Sequence, residues 1–303
     1  MKKWICMLLA VVFFCLSGCS AHAQKTLFAM DTVMDLQLWG ADSEKAVAQL
    51  VELIAETENI WSVQKPDSLI SRLNRGETVE HALLQQVQTL SARTKGAFDP
   101  KLGAAMELWG FRSKEYNIPE AEALSQALQE RTWDLGGAVK GYTGLLAVQT
   151  LETMDIDRAI LNLGGNIQTY GKKPDGAPWT VAIQSPDGGE YLGTLSVVGT
   201  AAVVTSGDYQ RYFEQGGIRY HHILDPETGM PAQSGLRSVT VICRDGLTAD
   251  VLSTALFVMG LEKATEFWRA SDDFEAVFVA GDGKIHATVG AALSGCEYEV
   301  IAK

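Results

Sequence analysis

A change of texture near residue 158 limits what this chain can fold into. Ahead of it, apolar residues recur mostly at helical spacing. Behind it come short strand-like runs at 158–163, 179–184, 193–198, 201–205, 219–224 and 238–243, separated by glycine- and proline-bearing turns. In the first part, 28–38 reads as one strand, with Val33, Asp35 and Gln37 alternating against Met34, Leu36 and Leu38 until Gly40. Asp42-Ser43 then offers a cap for a helix carrying Val47, Leu50, Leu53, Ile54, Ile60 and Trp61 on one stripe. Further helices are expected at 82–94, 120–129 and 138–154, the last entered through Gly136-Gly137. Helix returns at 248–259, capped by Gly260, and at 262–270. Strands at 276–280 and 286–289, joined across Gly281-Asp282-Gly283, and one near 298–301 close the chain. Strands in succession without intervening helices do not follow the βαβ rhythm of a doubly wound sheet. The pattern predicts a single α/β domain, with a mixed, largely antiparallel sheet flanked by helices.

The N-terminus predicts export. Lys2 and Lys3 precede an apolar run at 4–16, short for a membrane span and right for a signal-peptide core. It closes in Leu16-Ser17-Gly18-Cys19, which resembles a bacterial lipobox whose Cys19 becomes the lipidated first residue. A plain secretory signal cut near Ala21-His22-Ala23 is the alternative. The expected organisation is a signal peptide at 1–18, a polar tether at 19–26 and a catalytic domain at 27–303. The mature protein is then held at a membrane, facing the periplasm or cell exterior, without spanning it. Cys243 and Cys296 remain in the mature body; they lack zinc-site spacing and sit in apolar strand-like stretches, so free thiols are expected. The net charge of −12, with no run of Lys and Arg, excludes nucleic acid as a natural partner. A phosphorylated small molecule remains open to such a chain if a cation or backbone N–H groups meet its phosphates.

Four stretches carry candidate chemistry. In Asp134-Leu-Gly-Gly-Ala-Val-Lys-Gly-Tyr142, a glycine pair enters a helix, where the backbone can approach an anion; it serves equally as a structural turn. Asn162-Leu-Gly-Gly-Asn166 is a strand running into a second glycine pair, again a tight turn or a ligand edge. Thr205-Ser-Gly-Asp-Tyr-Gln-Arg211 precedes Tyr220-His-His-Ile-Leu-Asp-Pro-Glu-Thr-Gly229. Adjacent histidines on a strand point to opposite faces, so one of them can face a pocket as a general base. In Asp250-Val-Leu-Ser-Thr254, carboxylate and hydroxyl lie one helical turn apart, a half-site for a hard cation. The alternative is that Asp250 caps its helix.

In this order, the four stretches resemble the ApbE family of FAD:protein FMN transferases. The likeness extends through Phe28-Ala-Met-Asp-Thr-Val-Met34, Asp67-Ser-Leu-Ile-Ser-Arg-Leu-Asn74, and Gly96-Ala-Phe-Asp-Pro100 leading to Leu108-Trp-Gly-Phe111. It implies FAD as substrate, Mg²⁺ on its diphosphate, and transfer of FMN to a Ser or Thr hydroxyl with AMP released. It implies Met30, Trp61, Ser62, Ala97, Phe98, Asp99, Asp134 and Lys140 as FAD contacts. Asp250, Thr254 and the main-chain oxygen of Gly137 are implied as metal ligands, with Ser253 beside them, and His222 as the group that helps deprotonate the acceptor. At Lys140 some members carry an acidic residue, which turns this lysine toward phosphate. The implied acceptor is an exported domain of a redox complex with a Ser/Thr-Gly-Ala-Thr/Ser-like segment. A FAD pyrophosphatase, with water as the nucleophile, and a non-catalytic flavin-binding lipoprotein are the alternatives.

Overall fold

The computed structural model describes residues 21–303, so Cys19 and the export segment lie outside the described residues. The chain opens with strands β1 (His22–Ala29) and β2 (Thr32–Trp39). Helices α1 (Ser43–Trp61), α2 (Leu69–Asn74), α3 (Ala82–Arg93), α4 (Gly103–Leu108), α5 (Ala121–Glu130) and α6 (Val139–Leu151) follow. Strands β3 (Arg158–Asn162), β4 (Asn166–Gly171), β5 (Trp179–Gln184), β6 (Tyr191–Val197), β7 (Ala201–Gly207), β8 (Tyr212–Gln215), β9 (Ile218–His221) and β10 (Leu236–Cys243) come next. The long helix α7 (Gly246–Arg269) then leads into β11 (Phe274–Ala280), β12 (Ile285–Thr288), β13 (Leu293–Ser294) and β14 (Glu299–Ile301).

Nine strands form one sheet in the order β1-β2-β3-β4-β7-β10-β11-β12-β14, antiparallel throughout except for the β12–β14 pair. Side-chain alternation sorts its two faces. Met34, Leu36, Leu38, Ala159 and Leu161 pack with α1 and α6, and Val204, Val239 and Val241 belong with α7 to the neighbouring cluster. Ile160, Ile167, Val203 and Val277 face the other way, onto Trp179, Val181 and Leu195 of a three-stranded sheet, β13-β6-β5. A mixed, mainly antiparallel single domain is therefore what the strand-rich second part predicted.

Several local expectations change. The single strand at 28–38 is a hairpin: Ala29 pairs with Thr32, and Met30 and Asp31 turn between them at φ 50° and 58°. A left-handed turn without glycine costs about 1–2 kcal/mol per residue, and Met-Asp gives no hairpin signal of the Asn-Gly kind. The expected tether is shorter too, because β1 takes up the chain from His22. Asp42 stands at the start of α1 but makes no cap bond; its Oδ2 instead accepts from the N–H of Asp155 at 3.1 Å. The strand at 219–224 ends at His221. Gly260 interrupts α7 as expected, at φ 76°. Cys243 and Cys296 are free thiols, the first buried on β10.

The contact that positions the site is the crossing of α6 and α7. A Cβ on Gly141 would fall 2.1 Å from the carbonyl oxygen of Gly246 and 2.5 Å from the Cβ of Asp250; one on Gly246 would fall 2.5 Å from the carbonyl oxygen of Gly141. Only glycine on both helices allows backbone to meet backbone here. Gly141→Ala is expected to lower unfolding free energy by about 1–3 kcal/mol through overpacking and to displace Asp250. Urea denaturation of the variant beside wild type measures the first effect, and a crystal structure of the variant the second.

Candidate active site

One open pocket collects most of the residues singled out from sequence. Met30, Trp61, Ser62, Ala97, Phe98, Asp99, Asp134, Gly137, Lys140, His222 and Thr254 all line it. They come from the β1–β2 turn, the end of α1, the loop before α4, the entrance to α6, the residue after β9 and the third turn of α7. Asp250 and Ser253 do not line the cavity. Asp250 lies beneath it, 5% exposed, and Ser253 is fully buried.

The helix entrance explains how the oxygen donors are exposed. Asp245 caps α7, accepting from the N–H of Thr248 at 2.7 Å, so Asp250 is not the cap. Asp250 Oδ2 instead accepts from the N–H of Gly141 at 2.7 Å. Gly141 is the third residue of α6, where an N–H has no carbonyl within the helix to meet. Asp250 satisfies that N–H, and the Gly137 carbonyl, outside the helix, has no hydrogen-bond partner among the described residues. The Cβ position of Gly137 lies 3.4 Å from Thr254 Oγ1. Thr254 Oγ1 lies 3.2 Å from Ser206 Oγ, and the carboxylate, hydroxyl and carbonyl of this region are all hard oxygen donors of the kind Mg²⁺ takes. Ser253 departs from the expectation: its hydroxyl donates to the Asp250 carbonyl at 2.9 Å and sits 2.8 Å from Ser206 Oγ. Three positions beyond Asp250, it is turned by about 60° from that carboxylate around the helix, toward β7. Among the described residues no three His, Cys, Asp or Glu side chains cluster as a metal site. The donors present fit a partial shell that phosphate oxygens and water would complete.

Burial pushes the Asp250 carboxyl up, opposed by Lys140 and by the Gly141 N–H. It also pushes Lys140 down, opposed by Asp250. Each of the two therefore stabilises the charged form of the other. Lys140 Nζ donates to the carbonyl of Gly164 at 3.2 Å, joining the second glycine pair to the first.

The two histidines divide, His221 as the last residue of β9 and His222 just beyond it. His221 is buried; its Nδ1 accepts from the N–H of Ile223 at 3.3 Å and its Nε2 donates to the carbonyl of Ala232 at 3.2 Å. His222, half-buried, faces the pocket. Its Nδ1 lies 3.2 Å from the carbonyl oxygen of Arg211, an atom that only accepts, so Nδ1 carries the proton and Nε2 is the basic nitrogen. Burial, with Arg211, His221 and Lys140 adding positive charge, pushes this imidazole down to about 3.

Two arginines were given no role on sequence. Arg112 lies against Asp134, whose other oxygen accepts from the N–H of Gly136 at 2.9 Å. Burial lowers Arg112 to about 10, and it remains charged at neutral pH. Arg211 reaches the pocket mouth from the end of the Thr205–Arg211 motif. The motif was visible in the sequence, but nothing in its spacing tells which of its side chains face the cavity.

Comparison with known proteins identifies the family. The ApbE family model matches residues 30–278. An FAD:protein FMN transferase of Treponema pallidum is 30% identical over 293 residues, covering 82% of this chain and 81% of its own length. One of Klebsiella pneumoniae is 33% identical over 275 residues, covering 80% and 84%. Among solved structures, the ApbE protein of Thermotoga maritima superposes with a TM-score of 0.81 at 30% identity, over 88% of this chain and 96% of that one. The flavin transferase ApbE of Vibrio cholerae gives 0.78 at 27%, over 88% and 97%. The chain belongs to the ApbE family.

The environment of His222 sets a pH dependence. In the unfolded chain the ring takes up a proton near pH 6.5, and in the folded protein only near pH 3. Above pH 6.5 the group contributes nothing to pH dependence. As pH falls below it, the unfolded state binds the proton first and stability drops, by up to about 1.4 kcal/mol per pH unit. His222→Gln is expected to remove this component, seen as a shallower loss of urea stability between pH 6 and 4 than in wild type.

Proposed function

We propose that this protein is an FAD:protein FMN transferase that attaches FMN from FAD to a Ser or Thr hydroxyl of an acceptor protein, releasing AMP. The observation that carries the reading is the presence, in one pocket, of an imidazole presenting Nε2 together with Gly137 and Thr254, above the buried Asp250 carboxylate. The names of the relatives, at about 30% identity over most of each chain, support the same activity.

FAD would lie across the pocket, meeting Met30, Trp61, Ser62 and the loop of Ala97, Phe98 and Asp99. Asp134 and Lys140 would meet the remainder, Lys140 through phosphate. Gly137, Asp250 and Thr254 would hold Mg²⁺, which as a Lewis acid would withdraw charge from the diphosphate oxygens. Arg112 and Lys140 add positive charge where the diphosphate must sit. The acceptor hydroxyl forms a bond to the phosphorus on the riboflavin side as the P–O–P anhydride bond breaks. Its proton goes to His222 Nε2, AMP leaves, and FMN stays joined through a phosphoester. A neutral base is suited to this step, since a protonated ring could not accept the proton. The phosphates of bound FAD, being negative, would raise the imidazole toward the useful range from its value in the free pocket.

The proposal places the protein outside the cytoplasm, held at a membrane through lipid on Cys19. The motif Leu16-Ser17-Gly18-Cys19 after an apolar run supports it. Among the described residues no helix is long and apolar enough to cross a membrane. The first strand begins at His22, three residues beyond Cys19, so such an anchor would hold the folded body close to the lipid surface. The acceptor is then an exported domain of a redox complex bearing a Ser/Thr-Gly-Ala-Thr/Ser-like segment.

Incubating the protein with FAD and Mg²⁺, with and without a candidate acceptor, tests the reaction. AMP release with an acceptor gaining the mass of FMN is expected; AMP without acceptor modification would replace the transferase with a pyrophosphatase, and FAD binding without AMP would leave a carrier. Asp250→Asn should abolish metal-dependent AMP release while the variant still folds. His222→Ala should slow transfer by about 100-fold to 10,000-fold, the range for loss of a general base, with FAD affinity largely kept. Cys19→Ser should move the protein from the membrane to the soluble fraction on cell fractionation, and an unchanged distribution would rule out this anchor.

A further inference from the structure

Three cationic side chains line the pocket, Arg112, Lys140 and Arg211, and they differ in how firmly they are held. Arg112 is paired with Asp134, and both side chains are largely withdrawn from water. Lys140 is bonded to Gly164 and neighbours the Asp250 carboxylate. Arg211 is paired only with Asp31: its Nη2 lies 3.3 Å from Asp31 Oδ2, with the two side chains 41% and 46% exposed. An ion pair so open to water contributes little, because solvent screens it and both side chains give up rotamer freedom to hold it. Exchanging that partner therefore costs little.

The main chain of Arg211, by contrast, is fixed. Its carbonyl accepts from the N–H of His222 at 3.0 Å and from Nδ1 of the same residue at 3.2 Å. One residue therefore orients the basic imidazole with its backbone and carries a lightly held guanidinium on its side chain. The cavity feels that charge, since Arg211 disfavours protonation of His222, Lys140 and Arg112 alike. Asp31, its present partner, sits in the left-handed β1–β2 turn beside Met30, and both line the cavity. A doubly charged diphosphate entering a chain of net charge −12 needs local cations, and a guanidinium matches phosphate oxygens with two parallel hydrogen bonds.

We propose that Arg211 is a substrate-contacting residue whose guanidinium leaves Asp31 for the diphosphate when the nucleotide binds, so that Asp31 competes with substrate for it. The inference rests on the FAD reading above and adds a residue and a competition to it. Its signature is opposite signs for the two partners. Removing the competitor tightens binding, and removing the cation weakens it.

The test measures binding of FAD, ADP and riboflavin to the detergent-solubilised full chain, by flavin fluorescence and calorimetry, with Mg²⁺ and again with EDTA. Asp31→Asn is expected to tighten FAD and ADP by about threefold, and Arg211→Ala to weaken both by about tenfold or more, the size of a lost charge-assisted bond. Riboflavin, which lacks phosphate, should be unaffected by either change. In the Arg211→Ala background Asp31→Asn should have no further effect, and Arg211→Lys should recover part of the loss. If the ion pair only braces the turn, both single substitutions weaken all three ligands in the same direction, and the inference falls. Unchanged FAD affinity in Arg211→Ala also sinks it while leaving the transferase reading intact. A wild-type chain that binds no flavin nucleotide overturns the FAD reading and takes this inference with it.

Discussion

The backbone contact between Gly141 on α6 and Gly246 on α7 is the constraint from which the site follows. Because neither residue has a Cβ, the helices approach until the Gly141 N–H reaches Asp250. That single donation has two consequences. It satisfies one oxygen of a buried carboxylate, which would otherwise be costly to keep charged, and it gives a partner to an N–H that the first turn of α6 leaves without one. The packing of the two helices in this way also fixes the Asp250 carboxylate beneath the pocket.

Electrostatics in the pocket run against those of the chain as a whole. The protein carries a net charge of −12, yet Arg112, Lys140 and Arg211 converge on one cavity with a neutral histidine among them. Arg112, Lys140 and His222 are each perturbed first by burial and then by charged neighbours. A pocket arranged this way favours an anion without asking the rest of the surface to be basic, and a multivalent anion would relax the mutual repulsion that the empty arrangement retains.

Aromatic packing ties His222 to the helical part of the molecule. Phe213 and Tyr220, paired across β8–β9, stack at 5.2 Å, and Tyr220 lies 5.6 Å from Trp109. Phe111 stands edge-on to His222 at 6.4 Å, and Trp109 Nε1 donates to the Gly229 carbonyl at 2.8 Å. A small two-stranded hairpin separate from the large sheets is marginal alone. Here it is held by rings from the Leu108–Phe111 segment, whose neighbour Arg112 reaches Asp134. The imidazole and the α6 entrance are therefore positioned from the same stretch of chain.

What the sequence determined by itself was periodicity and local chemistry. The run of short strands with turn residues required an antiparallel sheet, and Gly260 marked the break in α7. The adjacent histidines had to face opposite ways, and the ordered motifs were enough to indicate the family. These are short-range properties, fixed by backbone geometry within a few residues. The tertiary structure decided the rest. The left-handed turn at Met30 and Asp31 carries no glycine to announce it, and Asp42 and Asp245 look alike as caps until one is drawn to Asp155. The roles of Arg112 and Arg211, and the exclusion of Ser253 from the cavity, depend on which faces meet across more than 20 residues of intervening chain. Such pairings are set by how helices and strands pack against one another, and residue spacing along the chain does not encode them.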